Sequence, residues 1–215
     1  MLASPILEDR MRLARRSLLL SLPLALPTLA RAQPGPNGPT APIAALNAAL
    51  LAGMKAGRAT RFADRAAKFR PAAERAFDLP AILAASVGPR FAAFPDASKR
   101  DLLDAFTTFT VATWVSNFDT YDGETFELAP QTRPSNTDEI VTTRIVPKSG
   151  EPTRLDYVMR QNPAGWRAID ILLNGTISRV AVQRSDFRGL IAAGDPAPLL
   201  ASLRSRAERL TGGQS

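Results

Sequence analysis

Apolar positions follow a helical spacing through the first half of the chain, and the pattern changes near Gly123. Ile43, Leu46, Leu50 and Met54 recur every three or four residues until Gly57 ends the run, which predicts one helix. Phe62, Ala66, Phe69, Ala73 and Phe77 carry the spacing over Thr60 to Phe77. Pro71 lies inside that stretch and predicts a break into two short helices, because proline removes a backbone N–H and crowds the preceding turn. Leu79 to Val87 predicts another helix, closed by Gly88-Pro89. In the strongest pattern Ser98 stands as N-cap with Asp101 three residues on, as in a capping box. Leu102, Leu103, Phe106, Phe109, Trp114, Phe118 and Tyr121 then form an apolar face wider than one packing stripe needs.

From Glu124 the period falls to about two. Four strand-like runs follow, Glu124 to Ala129, Glu139 to Val146, Thr153 to Arg160 and Trp166 to Leu173. Turn chemistry separates them at Arg133-Pro134-Ser135-Asn136, Lys148-Ser149-Gly150 and Asn162-Pro163-Ala164-Gly165. Connections this short cannot make parallel crossovers, so the sheet is expected to be a four-stranded antiparallel meander. Asn174-Gly175 ends it, and two helical patterns close the chain, Ile177 to Ala193 and Pro196 to Leu210. The expected fold class is α+β, with N-terminal helices, the meander and C-terminal helices. Leu155, Tyr157 and Met159 share one face of the third run, although Val158 interrupts the polar face of Asp156 and Arg160. In the fourth, Ile169, Ile171 and Leu173 lie opposite Trp166, Ala168 and Leu172. The sheet thus has more apolar surface than one-sided burial requires. Helices on both faces account for it, and so does an apolar cavity between sheet and helices.

The beginning of the chain reads as an export signal. Met11-Arg12-Leu13-Ala14-Arg15-Arg16 is a basic segment, Ser17 to Leu29 is rich in leucine, and Ala30-Arg31-Ala32 supplies small residues for cleavage before Gln33. Met11 offers a second start site, and Arg15-Arg16 is compatible with twin-arginine export beside the general secretory route. Pro23 and Pro27 argue against an uncleaved anchoring helix. The organisation expected is a signal over residues 1–32, a Pro- and Gly-rich leader over 33–42, one domain over 43–210 and a polar tail over 211–215. Cleavage near Ala32 places the mature chain in the periplasm.

Composition narrows the chemistry. The chain has no Cys and no His, which excludes disulfides, thiol nucleophiles, thiolate metal sites and the commonest general base. The net charge of +7 suggests an anionic partner, but five Arg against two acids in residues 1–32 leave an excess of only +4 downstream. There Arg alternates with Asp, Glu and Ala, as a solvated helix face does, and the aromatics of Phe106 to Tyr121 lack interleaved cations, so no nucleic acid is expected. Asp156 and Asp170 fall on adjacent strands and are the best candidates for an acid and base pair, with Arg154, Arg160 and Arg167 as competing partners. Asp119, Asp122 and Glu124 do not have calcium-loop spacing. No nucleotide-binding glycine motif is present. The residues therefore describe an exported α+β domain with surplus apolar surface, no metal, and no catalytic machinery.

Several segments carry a resemblance. Thr153-Arg154-Leu155-Asp156-Tyr157, Gly165-Trp166, Ile169-Asp170-Ile171-Leu172 and Asn174-Gly175-Thr176-Ile177-Ser178, in this order after the helices, resemble the periplasmic phospholipid-carrier family, also called the MlaC or toluene-tolerance family. Phe77-Asp78-Leu79-Pro80, Val111-Ala112-Thr113, Asn117-Phe118-Asp119 and Tyr121-Asp122-Gly123-Glu124 look most like its hopanoid-associated branch, HpnM. The likeness spans about Leu46 to Leu203 and implies a non-catalytic shuttle. Such a shuttle moves lipid between an inner-membrane ABC transporter complex and an outer-membrane lipoprotein complex, with acyl chains held between sheet and helices. Its implied cargo is a phospholipid or a hopanoid, with no cofactor. The residues expected to line the cavity are those on the inner faces, Phe106, Phe109, Thr113 and Trp114 on the helix and Leu155, Tyr157, Met159, Ile169, Ile171 and Leu173 on the strands. Two other readings remain open, an adaptor that organises a transport complex without cargo and an enzyme on a nuclear-transport-factor-like cone.

Overall fold

The computed structural model describes residues 37–191 and 194–212, so the expected signal segment, residues 33–36 of the leader and residues 213–215 of the tail lie outside the described residues. The helices are α1 (Thr40–Ala56), α2 (Phe62–Ala76), α3 (Leu79–Val87), α4 (Asp96–Asn117), α5 (Arg179–Arg188) and α6 (Ala197–Gly212), with a 3-10 turn at Pro89–Ala93. The strands are β1 (Thr125–Leu128), β2 (Arg133–Ser135), β3 (Asp138–Val146), β4 (Thr153–Asn162), β5 (Gly165–Leu173) and β6 (Ile177–Ser178). They form one antiparallel sheet in the order β1-β3-β4-β5-β6, with β2 beside β1 along the same edge of β3.

The sheet therefore has six strands rather than the four expected. Both additions are short. Arg133, Pro134 and Ser135, read above as turn residues, pair with Ile140, Glu139 and Asp138, and Asn136 at φ 55° begins the turn. Pro134 is tolerated because β2 has only one partner strand and needs no N–H on its open edge. Ile177 and Ser178, read as the start of a helix, instead pair with Leu173 and Leu172 before α5 begins.

Three helix expectations change as well. Helix α2 runs unbroken through Pro71, which lies on its exposed side where water can satisfy the carbonyl that loses its partner. Helix α4 starts at Asp96 rather than after Ser98, and no side chain caps it. Its growth stops at Pro95, since the residue before a proline is driven out of the helical region, and Phe94 is extended at φ −70° and ψ 145°. It ends at Asn117 rather than at Tyr121, whose side chain is exposed. At the other end of the domain, Thr40 to Pro42, read as leader, form the first turn of α1.

The sheet's inner face is covered by helices. Ile43, Leu46, Leu50 and Met54 of α1 are buried as their spacing predicts, and Asn47 Nδ2 donates to Thr143 Oγ1 on β3 at 3.1 Å. Helix α6 buries Leu199, Leu203 and Ala207 and packs along α4. Tyr157 pairs with Val141 and Ile171, and Met159 pairs with Ala168. Between these pairs the register of β4 and β5 shifts, because Val158 faces Asp170 and Ile169 is left without a partner. This bulge overturns the expected face assignment of the fourth run. Ala168 and Ile171 both pair with inner-face residues despite their odd separation, so simple alternation fails at Ile169.

Candidate functional site

Helix α4 presents Phe106, then Phe109 and Thr110, then Thr113 and Trp114, then Asn117 and Phe118 on successive turns of one face. Below this face lies a cleft of about 310 Å³. Its floor is the sheet, through Ile145 of β3, Thr153 and Leu155 of β4, and Ile171 and Leu173 of β5. Phe77 with Leu79 and Ile82 of α3 form one wall, and Arg179, Val180 and Gln183 of α5 form another. Twelve of its nineteen lining residues are apolar or aromatic. The volume sits at the lower end of the range for small-molecule pockets, about 300–1,000 Å³.

Aromatic contacts fix the helix side of the cleft. Trp114 stacks on Phe77 with ring centroids 5.7 Å apart and on Phe118 at 5.5 Å, and Phe118 meets Phe126 of β1 at 6.0 Å. These four rings tie the entry to α3, the end of α4 and the edge of the sheet into one row. Two wider grooves, of about 500 and 450 Å³, have different linings. Small alanines and the ion-paired Arg61 and Arg70 mark the first, while Asn47, Lys55, Tyr121 and Glu124 mark the second. The second also gathers Leu51 of α1 with Phe126 and Leu128 of β1, fewer large apolar side chains than line the cleft.

Of the residues expected to line a cavity, Phe106, Phe109, Thr113, Trp114, Leu155, Ile171 and Leu173 are on the cleft wall. Three are elsewhere. Tyr157 and Met159 are both fully buried and lie in the packed interior. Ile169 is the unpaired residue of the bulge. The cleft also takes in Phe77, Leu79 and Ile82, whose helical spacing had marked them only as core, and the polar start of α5, which no apolar pattern could have marked.

Both carboxylates considered for acid and base work are committed to structure. Asp156 is almost wholly buried on the other side of β4 and accepts from Thr142 Oγ1 at 2.6 Å, Arg133 Nη2 at 2.7 Å, and Arg154 Nε and Nη2 at 2.9 and 2.7 Å. Burial pushes its pKa up, but the bonds from Arg154 and Thr142 and the charges of Arg154 and Arg133 outweigh this and hold it below the ordinary carboxylate range. Asp170 accepts from its neighbour Ile171 N at 2.7 Å, from Val180 N at 3.1 Å and from the Ser178 hydroxyl. Ser178 Oγ in turn accepts from Ala181 N at 3.0 Å. Asp170 and Ser178 thus secure the first turn of α5 to β5 and set that helix beside the cleft. Asp119 pairs with Arg58 at 2.8 Å, and Glu124 accepts from Asp122 N at 2.7 Å. Burial raises the pKa of the Tyr157 hydroxyl, which has no hydrogen-bond partner. Among the described residues no group of three or more acids could hold a metal ion, and no helix is long and apolar enough to cross a membrane.

The comparisons with known proteins agree with this architecture. No curated protein matches the chain. Among solved structures, the fold is similar to that of a phospholipid-binding protein from Ralstonia solanacearum, which was solved in complex with a phospholipid. The two share 20% identity with a TM-score of 0.67 over 80% of this chain and 97% of that one. The family model described as MlaC protein matches residues 45–205, a span that holds every helix around the cleft and the whole sheet, and the chain belongs to the MlaC family.

Proposed function

We propose that this protein is a periplasmic lipid carrier that shelters the acyl chains of a phospholipid in the cleft under α4 while the headgroup stays at its mouth. The observation that carries this reading is the apolar cleft itself, lined from both layers of the domain and open to solvent. An acyl chain in water costs about 0.8 kcal/mol per CH₂, and a carrier must cover that cost in transit. The likeness to a fold solved with a phospholipid supports the cargo class. The engagement of Asp156 and Asp170 in structural bonds supports a non-catalytic role. Membership of the MlaC family supports export, with cleavage near Ala32, and exchange with an inner-membrane ABC transporter complex and an outer-membrane lipoprotein complex. The HpnM-like segments make a hopanoid the competing cargo.

The test is solvent extraction of mature protein purified without detergent, followed by lipid mass spectrometry. Glycerophospholipid at near-stoichiometric amounts is the expected result, and hopanoid in its place would reassign the cargo. Lipid-free protein that also takes up nothing from vesicles would leave the adaptor reading in its stead.

A further inference from the structure

The wall of the cleft carries a single cation among its described residues, Arg179, the first residue of α5. It stands at the N-terminus of α5, whose positive end is partly offset by the Asp170 carboxylate that accepts from Val180 N. The N-terminal turn of a helix has a positive end, which favours acids and disfavours arginine, and the first turn of α5 holds no acid. Arg61, Arg160 and Arg154, by comparison, are matched by Asp64, Asp138 and Asp156. Arg179 is exposed and makes no ion pair or side-chain hydrogen bond. The acid among the described wall residues, Asp170, is engaged by Ser178 and two backbone N–H groups and forms no ion pair with Arg179. An exposed guanidinium with no partner in the protein, at the rim of an apolar cleft, is free to meet the anionic group of a ligand.

From this we infer that Arg179 reads the negative phosphodiester of the cargo, and that it gives the mouth of the cleft a preference for charged over neutral lipids of the same chain length. The inference rests on the reading of the cleft as an acyl-chain site. Gln183 lies one turn along the same helix face and also lines the cleft. Its Oε1 accepts from Ser86 Oγ at 3.0 Å, which holds the side chain in place and leaves the amide N–H₂ as a second donor beside the guanidinium. Thr153, at the start of β4, adds a hydroxyl on the floor side. A lipid with its tails under α4 therefore meets donors where its headgroup emerges, and a phosphodiester oxygen accepts from a guanidinium through short charge-assisted bonds. A neutral polycyclic or diacyl lipid gains nothing from Arg179.

The experiment offers the mature protein vesicles containing equal amounts of dioleoylphosphatidylglycerol and dioleoylglycerol, and quantifies both lipids bound to it by extraction and mass spectrometry. The native protein is expected to favour the phospholipid. Arg179→Gln is expected to cut phospholipid uptake by about three- to tenfold, as loss of one exposed charge-assisted contact does, and to leave dioleoylglycerol uptake unchanged. Arg179→Lys should restore part of the preference, and added salt should weaken it in the native protein only. Unfolding of Arg179→Gln should occur close to the native temperature, since Arg179 is exposed and makes no side-chain hydrogen bond. Equal loss of both lipids, or an undiminished preference in Arg179→Gln, would overturn the assignment. Native protein that takes up neither lipid would overturn the carrier reading, and the assignment with it.

Discussion

One half of the sheet's inner face, around Tyr157, Met159 and Ala168, is dry and filled, whereas the other, around Leu155, Ile171 and Leu173, fronts the cleft. The filled half is held by packing. Tyr157, Met159 and Ala168 are fully buried, Phe77 lies against Tyr157 with centroids 6.4 Å apart, and Phe77 also bridges to Ala168, whose carbonyl accepts from Asp78 N at 2.9 Å. In the cleft half Ile171 and Leu173 are only partly buried, so less apolar burial fixes its strands. Its order comes instead from the opposite face, where Asp156 joins Arg133 of β2, Thr142 of β3 and Arg154 of β4 across three strands. A cavity inside a small domain costs packing, and this sheet offsets the loss with a polar clamp behind it.

The contrast breaks most visibly if the same charge is placed in each half. Met159→Glu buries a carboxylate with no partner, and urea unfolding should show a loss of about 4–5 kcal/mol or no folded protein. Leu173→Glu, on the half-buried cleft wall, should fold with a loss of roughly 1 kcal/mol while its lipid content drops. A Met159→Glu protein that folds normally but arrives empty would move the cleft boundary to Met159.

The clamp supplies the second contrast. Asp156→Asn keeps the shape but leaves Arg133 and Arg154 without their anion, and should cost about 2 kcal/mol, less than a fully buried pair because both guanidinium groups are partly exposed. Because the folded pKa of Asp156 is depressed, its contribution is complete above the ordinary aspartate pKa and is lost as pH falls through the folded value. Native protein should therefore lose stability more steeply with acid than Asp156→Asn does in that window. Parallel acid limbs in the two proteins would remove the clamp from the account.

The smallest effect is expected at Tyr157→Phe. The hydroxyl is buried with no hydrogen-bond partner, so its removal should change the unfolding free energy by less than about 1 kcal/mol and in the stabilising direction. A destabilisation beyond that would reveal a partner for the hydroxyl in solution, and the filled half would not be dry.

Periodicity made most of this architecture legible. The spacing of Ile43, Leu46, Leu50 and Met54 describes the buried face of α1, and alternation describes the core of β3 and β4. The aromatic excess of α4 was a reliable mark of the cleft, because a helix in contact with both a core and a cavity needs a wider apolar face than one packed on a single neighbour. What stayed hidden depends on pairing between distant segments. Arg133 to Ser135 look like a turn until β3 is beside them, and Asp156 looks solvent-facing until β2 covers it. Arg179 and Gln183 belong to a helix whose described residues bury only Phe187, so no hydrophobic pattern could bring them to the site.

The bulge at Ile169 acts as a frame shift within the strand. On its N-terminal side, even-numbered Ala168 belongs to the filled half, while on its C-terminal side odd-numbered Ile171 and Leu173 belong to the cleft. A single extra residue thus joins two differently phased reading patterns, one for the core and one for the cargo. An alignment to a carrier that lacks this bulge needs a gap at Ile169, without which cleft positions are assigned to the wrong residues on one side of it. Deleting Ile169 would remove the bulge and let Ala168, Asp170 and Ile171 alternate regularly, so that Ile171 and Leu173 stay on the cleft floor, whereas pairing Ile169 into a regular ladder would turn them outward and exchange the cleft floor for Leu172.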